Sequence, residues 1–74
     1  MDKQQIAHIL EKEINTINNT LKRLQYIHSQ TIDTHQAIDL HTAMCELIVH
    51  KQKLENIVTN IVEDATHFNP TFDR

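Results

Sequence analysis

An all-α fold, an antiparallel helical hairpin of coiled-coil type, follows from three features of the sequence. Glycine is absent and Pro70 is the sole proline, so residues 1–69 hold no strong helix breaker and nothing that demands a positive φ. Apolar residues recur at alternating spacings of three and four, which is the a/d rule of heptad-based helix pairing. Two separate Asp-x-x-Gln starts, Asp2 to Gln5 and Asp33 to Gln36, divide the pattern into two helices.

The first helix is expected over about residues 3–30. At each start the Asp carboxylate can accept from free N–H groups of the first turn while the Gln returns a bond to the cap residue. Ala7, Leu10, Ile14, Ile17, Leu21, Leu24 and His28 then follow one another on the a and d positions. Ile6 and Ile27 widen the stripe, while Glu11, Lys12, Asn15, Asn18, Asn19, Lys22 and Arg23 lie off it.

The turn is expected at about residues 30–33, where Ser29-Gln30-Thr31-Ile32 lowers helix propensity. No glycine marks the end of the first helix, so a continuous helix of about 65 residues is the competing reading at this point.

The second helix is expected over about residues 34–67. Ala37, Leu40, Met44, Leu47, Lys51, Leu54, Val58, Ile61, Ala65 and Phe68 keep the same spacing, with Lys51 the one charged member. Ile48, Ile57 and Val62 flank this stripe, which suits a helix touching two neighbours. Residues 1–68 would thus form the hairpin and 69–74 a short C-terminal tail.

With the turn near residue 32, residue i should face roughly 64 − i. That sets Leu24 against Leu40, Ile17 against Leu47, Leu10 against Leu54, and Lys51 near Glu13. The Lys51–Glu13 pair would be a polar layer that sets register or oligomeric state. The second helix would also outrun the first, about 50 Å against about 42 Å at 1.5 Å per residue. Val62, Ala65, Phe68 and Phe72 would then overhang and meet another subunit or a different protein. A chain of 74 residues buries only about 60% of its unfolded surface, so pairing of two hairpins into a four-helix bundle is the expected closure of the core.

Ten acidic and seven basic residues give a net charge of −3, with +1 over residues 1–32 and −4 over 33–74. The longest basic cluster is Lys22-Arg23, short of the clustered cations that nucleic-acid binding requires. Without glycine there is no phosphate-cradling loop of the Walker or Rossmann kind. The single cysteine, Cys45, permits no disulfide within the chain. No signal-like apolar segment opens the sequence and no apolar run approaches the length of a membrane span, so a cytoplasmic location without membrane contact is expected.

Chemistry-bearing groups are sparse. His41 and Cys45 stand at i and i+4, as do His35 and Asp39, which places two ligands on one helical face. Two ligands fall short of the four of a structural zinc site, so metal binding is a remote alternative and no cofactor is expected. Glu11, Glu13, Glu55, Glu63 and Asp64 read as solvated carboxylates, because a helical hairpin offers no deep site to hold two acids in different environments. Lys51 has no nucleophile or oxyanion donors beside it. The expectation is therefore a non-enzymatic protein–protein interaction module acting as a homodimer: an adaptor, helper or inhibitor of a larger protein.

One alternative comes from architecture. A short, acidic, glycine-poor helical hairpin pairing into a four-helix bundle resembles the Rop type of plasmid copy-control protein over about residues 3–66, with no sequence motif to anchor the likeness. The resemblance implies a small RNA-binding regulator using the first helices, for which Lys12, Lys22 and Arg23 are the candidates. Tyr26 is the nearest aromatic, a departure from the Rop pattern.

Overall fold

The computed structural model describes residues 1–67, and the side chains of residues 1–64. It contains two helices, α1 (Lys3–Gln30) and α2 (Thr34–His67), packed against each other as an antiparallel hairpin. A continuous helix is thereby ruled out.

The start of α1 carries the full capping box. Asp2 is extended (φ −84°, ψ 173°), its carboxylate accepts from the Gln5 N–H at 2.8 Å, and Gln5 Oε1 accepts from the Asp2 N–H at 3.0 Å. Termination is achieved without a left-handed residue. The Ser29 hydroxyl donates to the Tyr26 carbonyl and the Thr31 hydroxyl to that of Ile27, both at 2.6 Å, while the Thr31 N–H donates to the His28 carbonyl at 3.1 Å. These bonds satisfy carbonyls that a helix end otherwise leaves open, and Thr31 turns the chain into the extended region (φ −85°, ψ 126°). Asp33 then caps α2: its carboxylate accepts from the Gln36 N–H and its carbonyl from the Ala37 N–H, both at 3.0 Å.

The heptad positions form the interface. Every a and d residue from Ala7 to His28 and from Ala37 to Ile61 is at least partly covered, whereas most other positions are exposed. Only Ile17 (5% exposed) and Leu21 (8%) are fully buried among the described residues. Extents of 59 × 26 × 14 Å explain why: the molecule is one helix thick, so most seam residues keep an uncovered side.

The register differs from the expected one. Lys51 Nζ donates to Asn18 Oδ1 at 3.1 Å, the His28 and His41 rings stand 6.4 Å apart, and Lys3 Nζ lies 3.3 Å from Asp64 Oδ2. Residue i therefore faces about 68 − i, four residues beyond the expectation. The layers become His28 with Leu40, Leu24 with Met44, Leu21 with Leu47, Ile17 with Lys51, Ile14 with Leu54, Leu10 with Val58 and Ala7 with Ile61. The cause is the connection. Thr31 is extended and residues 31–33 are outside both helices, so the chain advances by more than the roughly 1.5 Å per residue of a helix and passes the end of α1 before α2 begins.

Two expectations change with the register. Lys51 meets Asn18 rather than Glu13, which is exposed. The overhang moves to the turn end, where the first turn of α2 extends past Gln30, while at the opposite end Lys3 accompanies α2 as far as Asp64. Val62 therefore lies alongside the first turns of α1 instead of beyond them.

Candidate interaction surfaces

An antiparallel a/d seam has two flanks, one bordered by the e positions of both helices and one by the g positions. The e flank holds an open groove lined by Asn18, Leu21, Lys22, Gln25, Ile48 and Lys51. The g flank holds another, at the turn end, lined by Ile27, Thr31, Gln36, Asp39 and Leu40. Large apolar side chains remain exposed on both. Ile9, Ile27 and Ile57 belong to the g flank and its c neighbours, whereas Ile38, Ile48 and Val62 belong to the e flank and its b neighbours. Tyr26 and Val49 occupy outer f positions, and Ile32 at the turn is 97% exposed.

Of the partner-binding candidates, Val62 is 50% exposed. Ala65 is part of α2 but its side chain lies outside the described residues, as do Phe68 and Phe72 altogether. Lys51 is half-buried in the Ile17 layer, with its ammonium bonded to the Asn18 amide at 3.1 Å. This is a polar layer at the place the heptad pattern indicated, built from a neutral partner rather than a carboxylate.

Lys12, Lys22, Arg23 and Tyr26 are all exposed, on the b, c and f positions of α1 that face away from α2. The acids of this helix, Glu11 and Glu13, sit on its e and g borders, so the outward side of α1 carries cations without anions. The ten-residue interval between Lys12 and Lys22 spreads that charge over about 15 Å.

The histidine and cysteine groups are brought partly together. Cys45 Sγ lies 3.8 Å from His41 Nδ1, and the half-buried His28 ring is tilted 50° to that of His41 across the seam. His35 and Asp39 are exposed. No group of three or more His, Cys, Asp or Glu side chains able to hold a metal ion occurs among the described residues. No helix among them is long and apolar enough to cross a membrane.

No protein-family model matches the chain, and no curated protein or solved structure does either. Evidence for function therefore rests on surfaces. The surface that the heptad reading passed over is the turn end, where Ile27, Ile32 and Ile38 are exposed together. Ile32 carries no periodic signal because it lies in the connection, and its apolar character within a polar turn was the available clue.

Proposed function

We propose that the protein is a non-enzymatic interaction module, a helical hairpin that works as a homodimer and binds a larger protein. The observation that supports this is the 14 Å thickness of the molecule, which leaves all but two of the described residues of its apolar seam incompletely covered. Domains ordinarily close a core between at least two layers, and a second hairpin is the simplest second layer. Val62, Ala65, Phe68 and Phe72 are the residues proposed to take the larger partner, with Lys51 and Asn18 holding register. Affinity capture of tagged protein, with Phe68→Ser as control, tests this. A stoichiometric protein partner lost in the variant is the expected result, and capture unaffected by the substitution removes these residues from the partner site.

A second reading, an RNA-binding regulator of the Rop type, is favoured by the cations and Tyr26 sharing the outward side of α1. Gel retardation of structured RNA at low salt tests it: no shift at micromolar protein ends this reading, and a shift lost with Lys22→Ala and steeply weakened by salt supports it.

A further inference from the structure

We infer that the second copy docks on the g flank of the hairpin, the side formed by the c and g positions of both helices, and leaves the e flank open. This deepens the homodimer reading above and rests on it. The chain exposes 5892 Å², about 1,200 Å² more than the roughly 4,700 Å² expected of a compact monomer of 8.7 kDa. An excess of that size exceeds the ~800 Å² that each partner contributes to a standard stable interface.

The two flanks are unequal. Along the e flank and its b neighbours the exposed apolar side chains, Ile38, Ile48 and Val62, all lie on α2, while α1 offers only His8, Glu11, Asn15, Asn18, Lys22 and Gln25, a row with no apolar side chain to bury. Along the g flank, α1 offers Ile6, Ile9 and Ile27 with Thr16 and Thr20 between them, and α2 offers Ala43 and Ile57. Ile9, Ile27 and Ile57 are 49%, 48% and 45% exposed, so each has a substantial apolar area still to cover. The small residues at the middle would let helices approach closely.

Four charged residues of this flank are self-complementary, with Asp39 and Asp64 outside the set. Glu13 and Arg23 lie on α1, and Glu46 and Lys53 on α2, at heights set by the observed register. A two-fold axis along the hairpin brings Arg23 near Glu46 of a second copy and Glu13 near Lys53. A crosswise axis brings Glu13 near Arg23 and Glu46 near Lys53. Either closed pairing matches opposite charges, which a surface made for an unrelated partner has no reason to do.

The structure supplies its own probe, since Cys45 is exposed and lies at a b position, on the flank left open. Light scattering on the wild type, Ile57→Glu and Ile48→Glu is combined with the rate of Cys45 alkylation by a maleimide as protein concentration rises. Ile48 at 41% exposure matches Ile57 closely, so the two variants impose similar strain on the hairpin itself. The expected result is a dimer whose dissociation constant rises at least roughly 100-fold in Ile57→Glu and little in Ile48→Glu, with Cys45 reacting at one rate throughout. A wild type that is monomeric at all concentrations overturns the homodimer and this docking with it. A dimer broken by Ile48→Glu instead, or one that protects Cys45, overturns the docking flank alone. Should Ile57→Glu lose its helical circular dichroism, the alkylation rates decide without it.

Discussion

Replacement of Ile17 by alanine probes the seam where it is tightest. Ile17 is 5% exposed and shares its layer with Lys51, one turn from Leu21, the other fully buried one of the described residues. The substitution removes three carbons from a nearly dry position, which at about 0.8 kcal/mol for each buried methylene amounts to about 2.4 kcal/mol. Partial collapse of so thin a structure keeps the cavity contribution small, which places the cost toward the lower end of the range for buried aliphatic truncations. A 74-residue chain unfolds with an entropy of about 0.16 kcal/mol/K, so the midpoint should fall by about 15 °C. Thermal unfolding followed by circular dichroism at 222 nm, at one fixed protein concentration, gives the value. Val49→Ala is the matched control, because Val49 is 51% exposed on the outer side of α2 and should cost less than about 0.5 kcal/mol. A loss below about 1 kcal/mol at Ile17, or an equal loss at Val49, would refute the assignment of this seam as the core.

Other perturbations test separate parts of the account. Asp33→Ala removes the side-chain cap at the start of α2 and should cost about 1 kcal/mol, measured by urea unfolding; no loss would mean that the α2 start is held by something other than Asp33. Lys51→Leu should stabilise the hairpin by about 1 kcal/mol while broadening its distribution of oligomers in sedimentation velocity, and a lowered midpoint would show that the Lys51–Asn18 bond outweighs its burial. Lys3→Ala should change stability by less than about 0.5 kcal/mol, since the side chains of the Lys3–Asp64 pair are 69% and 64% exposed and solvent screens them; a larger loss would make that end of the hairpin a true anchor.

Much of the fold is legible because its signals are local. Asp2 with Gln5 and Asp33 with Gln36 announce helix starts through side-chain bonds that span three residues, and the seam from Ala7 to His28 is a period written directly in the sequence. The register is another matter. Both facing rules, 64 − i and about 68 − i, set apolar rows opposite one another, because a slip of four residues exchanges one seam row for the next. The choice between them depends on how far residues 31–33 travel along the helix axis, a property of three φ/ψ pairs that no periodicity reports. Lys51 shows the consequence: its place in the seam is readable, but its partner is Asn18, an amide five residues along α1 from Glu13, where a carboxylate was sought. The surfaces are less legible still. Ile27 and Ile57 read as mere widening of the stripe and Ile9 as no part of it, and only the antiparallel pairing of g with g shows that they line one flank.

The central claim is that this one-layer hairpin completes its core with a second copy. Sedimentation equilibrium from about 1 to 500 μM, paired with thermal unfolding at the same concentrations, addresses it most directly, since linkage makes the midpoint of an associating protein depend on concentration. The account predicts a species of twice the 8.7 kDa chain mass and a midpoint that climbs with concentration. A single species of 8.7 kDa with a midpoint independent of concentration would contradict it.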